Sequence, residues 1–275
     1  MARATRESLP GLVLDVTGRP GPPPLRFETD GRGGIALRQG DRPVLLGRYD
    51  GDHCCRELDP HRLPGYRSPL PPLRAAWQRS RGPDRSHWYA RRLEDAPRSP
   101  LHDGRWQLAE RPSLAPGVWT EDFVRDRPGA RLELLCGGGW HGVLPLRRLS
   151  PPDAPRVKAY RKHARDGTLA PVLLWRVSPL DGWVLLDGHD RAVAALAEGR
   201  EPASVELIRL RAEEAWRRTA AEITEAYEEW TARPGSYPHR SADRERGHGA
   251  VLASLPYDED RTPLWPGPVV QFPGD

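Results

Sequence analysis

Four charged or polar side chains fall within the five-residue stretch DGHDR, Asp187 to Arg191. The apolar run Trp183 to Leu186 predicts a buried strand before this stretch, and the Ala- and Leu-rich run Ala192 to Ala197 predicts a helix after it. Free backbone N–H groups and the helix dipole favour an anion at such a helix N-terminus. The stretch therefore predicts a phosphate-binding turn.

Each residue of the turn has a predicted role. Gly188, His189, Asp190 and Arg191 are predicted to hold phosphate, Arg191 through its planar guanidinium fork. Asp187 follows a strand, where open α/β sheets place reacting groups, so we predict that Asp187 and His189 are catalytic. Asp187 would act as a base for a substrate hydroxyl or as a Mg²⁺ ligand. The alternative is structural: Asp187 caps the helix and Arg191 pairs with it across one turn.

The elements that position this turn begin near residue 131. Short apolar runs predict strands on both sides of a Gly-rich link, and a Pro-Pro-Asp start predicts a helix that ends at Gly167. Another apolar run and the closing alternation around Val205 and Leu207 predict two further strands. The predicted order is strand, helix, strand, turn, strand, helix, strand, which is typical of an α/β domain. The predicted strands before the turn are Leu132 to Cys136, Gly142 to Leu146 and Pro171 to Val177.

These preceding elements also carry candidate anion ligands. We predict that Arg147, at the end of a strand, and Lys158, on the helix, contribute to the phosphate site. Further candidates are Trp140, His141, Arg148, Tyr160 and Lys162, for which ordinary packing or a solvated charge is an equal alternative.

The succession LPLRRLSP, DGTLAP, VLLWRV and WVLLDGHDRAVAALAEG, over about residues 140 to 210, resembles the ParB/sulfiredoxin superfamily. The resemblance is nearest to the branch that includes free-serine kinases, and it implies nucleotide phosphates at the helix mouth and a catalytic Asp187. Gly188 stands where sulfiredoxins have a nucleophilic Cys. Asp190 stands where the kinase-like branch usually has a second His, and its carboxylate repels phosphate unless a metal or Arg191 compensates. Nothing after Arg209 predicts the helix-turn-helix of the DNA-clamping branch.

The rest of the chain predicts three further regions. Residues 1–130 predict a β-rich region with short helices, including an antiparallel meander near its start. The Ala-, Glu- and Arg-rich segment after Arg209 predicts a long helix, stopped at Pro234-Gly235, which closes a domain of residues 131–235. Its apolar face could pack on the α/β unit or pair with a second copy in a homodimer. Residues 236–275 predict an extended tail.

Two binding alternatives arise in the first region. His53, Cys54, Cys55 and His61 are metal-type ligands, but adjacent cysteines chelate one tetrahedral ion poorly. Between Leu70 and Ala96, arginines interleave with aromatic residues, which is typical of a nucleic-acid platform or, more often, of amphipathic helices.

Composition limits the partners. The net charge of +4 and isoelectric point near 9.2 permit contact with phosphate without demanding nucleic acid. Three cysteines, no signal-peptide pattern and no long apolar run predict a cytoplasmic protein without a membrane partner.

The sequence as a whole predicts an α/β (α+β) protein that binds ATP or ADP with Mg²⁺. The predicted reaction is phosphotransfer to an unidentified small molecule, or nucleotide hydrolysis. The alternative is a non-catalytic module that binds nucleic acid or protein through the same fold; nucleic acid is not the favoured partner.

Overall fold

The computed structural model of the chain describes residues 2–5, 11–50, 56–73, 85–114, 117–119, 132–134, 142–232, 241–257 and 262–272. The chain forms two compact units, Met1–Ile208 with Thr262–Asp275, and Arg209–Arg261. Two mixed sheets and several helices confirm the predicted α+β class. His53, Cys54, Cys55, Trp140 and His141 lie outside the described residues.

The first sheet is mixed and seven-stranded, with the order β1-β2-β7-β12-β10-β11-β9. β10 pairs antiparallel with β11 and parallel with β12, while β11 and β9 are parallel. In chain order its strands are β1 (Ala2–Thr5), β2 (Leu12–Val16), β7 (Gly104–Arg111), β9 (Val143–Pro145), β10 (Val172–Val177), β11 (Gly182–Asp187) and β12 (Ser204–Leu210).

The second sheet has the order β13-β3-β4-β5-β6-β8. β3, β4 and β5 form an antiparallel meander as predicted, and β6 extends it. The run at Leu12–Leu14, predicted for the same meander, is β2 of the first sheet instead. β13 adds to β3 in parallel. Its strands are β3 (Leu25–Thr29), β4 (Gly34–Gln39), β5 (Arg42–Asp50), β6 (Arg56–Arg62), β8 (Leu132–Leu134) and β13 (Leu264–Pro266).

The helices of the described residues are α1 (Arg85–Asp95), α2 (Pro155–Arg165), α3 (His189–Ala197), α4 (Glu213–Thr231) and α5 (Ser241–Ser254). α4 confirms the predicted long helix. In its unit, the Tyr227 ring stacks on the His248 ring of α5 at 4.1 Å, and the Arg244 guanidinium lies 4.0 Å from the Trp230 ring centroid. None of the described helices combines the length and hydrophobicity that crossing a bilayer requires.

The first sheet is buried on both faces at β10. Leu173 and Trp175 belong to the large core that also contains residues of the second sheet, and Trp175 lies against Phe27 with ring centroids 5.8 Å apart. Val172 and Leu174, which alternate with them, pack with Ala192 of α3 on the opposite face. This two-sided burial explains why the first four residues of β10, Val172 to Trp175, are all apolar.

Two observations bear on the predicted organisation of the chain. β2 and β7 share the first sheet with β9 to β12, so a boundary at residue 130 does not separate two sheets. The expected extended tail contains α5 and β13 instead. The sequence does not predict α5 because Gly247 and Gly249 lower its helix propensity. Its aromatic contacts with α4 join residues that are distant in the chain, and local propensity does not include such contacts.

Candidate functional site

The predicted turn lies where the carboxyl ends of two parallel strands meet. β9 and β11 are parallel neighbours with Leu185 opposite Pro145, so the residues after each strand emerge at the same edge of the sheet. Gly188 forms the N-cap of α3 with φ of +95°, in the left-handed region that favours glycine. A Cβ atom at Gly188 would lie 2.8 Å from both Arg191 Nη2 and Val172 Cγ1. Only glycine therefore fits this turn without displacing its neighbours.

Asp187 and Arg191 form an ion pair inside the protein. Arg191 Nη2 lies 2.8 Å from Asp187 Oδ2 and donates a second bond to the Pro171 carbonyl at 3.0 Å. The other carboxylate oxygen, Oδ1, accepts a 2.7 Å hydrogen bond from the Ser68 hydroxyl. The predicted pairing of Asp187 with Arg191 is confirmed. The prediction that Asp187 caps the helix is wrong, because Gly188 is the N-cap residue and no side chain caps the helix.

His189 is held in its neutral form. Its Nε2 accepts a 3.2 Å hydrogen bond from the Leu146 N–H, which assigns the ring proton to Nδ1. Burial lowers the pKa of His189 well below its ordinary range, and the nearby charges of Arg147, Arg62 and Arg191 lower it further. His189 thus fastens the start of α3 to the end of β9.

Asp190 is buried, and both of its carboxylate oxygens have protein partners. Its Oδ1 accepts a 2.9 Å hydrogen bond from the Ser150 hydroxyl, and its Oδ2 lies 3.3 Å from both Arg147 Nη2 and Arg156 Nε. These two arginines compensate the charge of Asp190, whereas Arg191, the arginine predicted to do so, is paired with Asp187.

A cavity of about 280 Å³ opens at this turn. This volume is near the lower end of the range of about 300–1,000 Å³ that is typical of small-molecule sites. Four arginines against two aspartates leave the lining with an excess of two positive charges, which favours an anion. The lining residues are Tyr66, Arg67, Ser68, Leu70, Pro72, Arg147, Arg156, Tyr160, Asp187, Gly188, His189, Asp190 and Arg191.

One wall of the cavity was missed by sequence reasoning. The segment after β6 brings Tyr66, Arg67 and Ser68 to the turn, and the Tyr66 hydroxyl donates to the Leu186 carbonyl at 2.8 Å. Burial raises the pKa of the Tyr66 hydroxyl well above its ordinary value, so Tyr66 remains a neutral donor. No local pattern marks this segment, since it approaches the turn only through a contact about 120 residues apart in the chain.

Only some of the phosphate ligands predicted on the elements before the turn line the cavity. Arg147 lines the cavity as predicted, and α2 contributes Arg156 and Tyr160 one turn apart. Lys158 does not line the cavity and is exposed. The reason is helical geometry: Val157 faces the core, Arg156 and Tyr160 share one face, and Lys158 lies on another. Arg148 and Lys162 are also exposed.

In the described ranges, no three His, Cys, Asp or Glu side chains are grouped closely enough to hold a metal ion. A metal at this turn would therefore need ligand atoms from a bound molecule in addition to Asp187.

Comparison of the chain with protein-family models, with curated proteins and with solved structures finds no match. The resemblance to the ParB/sulfiredoxin superfamily stays a prediction. The function is therefore inferred from the geometry of the cavity.

Proposed function

We propose that the chain binds the phosphate groups of a nucleotide, ATP or ADP, in the cavity at Asp187 to Arg191 and acts in phosphotransfer or nucleotide hydrolysis. The observation that carries this proposal is the convergence of Arg67, Arg147, Arg156 and Arg191 on the first turn of α3. Guanidinium groups and helix N-terminal N–H groups both bind phosphate oxygens well.

The lining residues would have different roles in binding the phosphates. The guanidinium of Arg67 is exposed and available to phosphate oxygens. Those of Arg147 and Arg156 are exposed too, but Asp190 neutralises part of their charge, and Arg191 is buried against Asp187. The first backbone N–H groups of α3 have no carbonyl partner within the helix and add positive dipole. His189 holds this turn in place through the Leu146 N–H.

Asp187 suits the role of proton acceptor. A hydroxyl, that of Ser68, already donates to Asp187 Oδ1 at 2.7 Å, so the carboxylate accepts hydroxyl groups on its cavity side. An acceptor substrate hydroxyl in that position would pass its proton to Asp187 as its oxygen attacks the terminal phosphorus of the nucleotide. The bond from that phosphorus to the bridging oxygen then breaks, and the nucleotide leaves with one phosphate fewer. The acceptor is proposed to be a small molecule because the cavity is small.

Mg²⁺ fits this site as a companion of the nucleotide. Mg²⁺ is usually held by one or two carboxylates together with substrate phosphates, and Asp187 is the carboxylate best placed for it, because Asp190 is surrounded by Ser150, Arg147 and Arg156. When bound, the ion would neutralise charge on the phosphates. Both oxygens of Asp187 already have protein partners, so Asp187 would exchange the Ser68 hydroxyl for the ion. The same exchange would admit a substrate hydroxyl, so proton acceptor and Mg²⁺ ligand are alternative roles of Asp187.

Calorimetric titration of the full chain with ADP and ATP, with and without Mg²⁺, tests the binding. Arg67→Gln removes a guanidinium from the lining, and we expect it to weaken nucleotide binding about tenfold, the value of one charge-assisted hydrogen bond. Lys158→Gln is the matched control, because it removes one charge from an exposed position that does not line the cavity. We expect the control to bind as the wild type does.

Absence of nucleotide binding to the wild type, or equal losses in both variants, would overturn the proposal. Nucleic-acid or protein binding in that case would support the non-catalytic alternative. Product analysis separates turnover from binding: release of ADP or phosphate that depends on a small-molecule hydroxyl indicates transfer, and release without one indicates hydrolysis.

A further inference from the structure

Asp190 is a buried carboxylate beside a cavity that favours anions. Its side chain is 7% exposed, and it is surrounded by the Ser150 hydroxyl at 2.9 Å and by Arg147 and Arg156, each at 3.3 Å. Two guanidinium groups and a hydroxyl around one anionic group are the partners that proteins commonly use for a phosphate. The carboxylate of Asp190 therefore occupies a small anion site made by the protein itself.

The two arginines that hold Asp190 belong to the cavity as well. Their side chains are 44% and 61% exposed and both line it, as Asp190 does. Part of their positive charge is already neutralised by Asp190. The remaining excess of two positive charges in the lining matches one phosphate monoester, which carries about −1.5 to −2 at neutral pH.

We propose that Asp190 is a specificity-determining residue that takes the place of a second phosphate and limits the cavity to one. The ligand class is then a compound that presents a single phosphate group to the cavity, its terminal phosphate in the case of a nucleotide. This inference rests on the proposed function, because it concerns the same cavity, but it makes a separate statement about which phosphates are bound.

Affinities of the full chain for AMP, ADP and ATP in metal-free buffer test the inference. In the wild type we expect the three affinities to agree within about threefold, because added phosphates find no free guanidinium. Asp190→Asn frees Arg147 and Arg156 while keeping the shape of the side chain. Each added phosphate should then raise affinity about tenfold, the value of one charge-assisted hydrogen bond.

Two control variants separate Asp190 from a general change of charge. Asp190→Glu keeps the carboxylate, so its affinities for AMP, ADP and ATP should stay nearly equal, as in the wild type (a flat series). Asp153→Asn removes an exposed carboxylate just before α2 and should also leave the series flat. A steep series in the Asp153 variant would show a nonspecific effect of charge and overturn the inference.

The remaining outcomes are also decisive. A wild-type series that rises steeply from AMP to ATP overturns the inference and leaves the proposed function intact, and so does a flat series in a folded Asp190→Asn variant. Absence of binding of all three compounds to the wild type, both without and with Mg²⁺, overturns both. If Asp190→Asn does not fold, Arg156→Gln tests the inference in its place. This variant leaves Asp190 with one guanidinium fewer, so the carboxylate should repel added phosphates and ADP and ATP should bind more weakly than AMP. Affinities unchanged from those of the wild type would contradict the inference.

Discussion

His189 shows how a residue selected for its chemistry can have a positioning role. The sequence predicts a catalytic or phosphate-binding histidine, because a histidine at a helix mouth can donate to an anion. In the structure its Nε2 accepts the Leu146 N–H, which leaves Nδ1 as its only donor, and the ring is 2% exposed. The hydrogen bond and the burial both favour the neutral ring, so His189 serves the proposed site by joining α3 to β9.

This neutral state predicts a pH dependence of stability. The pKa of His189 is lowered in the folded protein, so below about pH 6.5 the unfolded chain binds a proton that the folded chain does not. The free energy of unfolding should fall with decreasing pH in this range, by at most about 1.4 kcal/mol per pH unit from this residue. Urea unfolding between about pH 7.5 and pH 5 measures the slope.

In His189→Gln this part of the slope should disappear, since glutamine can accept the Leu146 N–H but does not titrate. His163→Gln, which removes a histidine from α2 outside the cavity lining, should keep the wild-type slope. Equal slopes in the wild type and His189→Gln would contradict the prediction.

At the scale of elements, the link from β11 to α3 decides where the site residues lie. Gly188 turns the chain so that Asp187 and Arg191 pair across one helical turn and the first N–H groups of α3 face the end of the sheet. The space at this position is filled by Arg191 and by Val172 of β10. The glycine at the other end of α3, Gly199, also has a positive φ, of +65°, but no atom lies within 4 Å of its hypothetical Cβ.

These two glycines make a matched pair. Gly199→Ala should cost about 1–2 kcal/mol of unfolding free energy, the price of a left-handed backbone alone. Gly188→Ala should cost about 2 kcal/mol more, because Arg191 or Val172 must move to admit a methyl group. Chemical denaturation measures both values, and similar costs for the two variants would show that the contacts around Gly188 adjust without strain.

At the scale of the whole molecule, the first sheet unites distant parts of the chain. β7, from the first half, lies between β2 and β12, and its Trp106 and Leu108 are fully buried in the core that also contains Val205 and Leu207 of β12. The second sheet supplies a further part of that core. The α/β segment that the sequence marks as a domain therefore has its edge and one face covered by residues that precede it.

This arrangement predicts that residues 131–235 do not fold alone. Without β7, β12 would have an unpaired edge, and the inner face of β10 would be exposed to water. The isolated fragment should show no cooperative thermal unfolding by circular dichroism. Co-expression with residues 1–130 is the control and should restore a cooperative transition. A cooperative transition in the fragment alone would contradict the prediction.

The sequence by itself determined the local elements of the proposed site. The strand at Trp183 to Leu186, the helix after Gly188, the strand β10 and the helix α2 were all predicted, because hydrophobic period and turn residues are properties of neighbouring residues. For the same reason the Asp187–Arg191 pair was predictable: it spans a single helical turn.

Only the tertiary structure decided what surrounds that turn. The approach of Tyr66, Arg67 and Ser68, the choice of Arg156 over Lys158 and the partners of Asp190 depend on contacts between residues far apart in the chain. The pairing of β7 with the α/β segment depends on them as well. Such contacts form when separate apolar faces bury one another, and no local pattern specifies which faces meet. Asp190 is accommodated because two arginines hold it, Arg147 after β9 and Arg156 on α2.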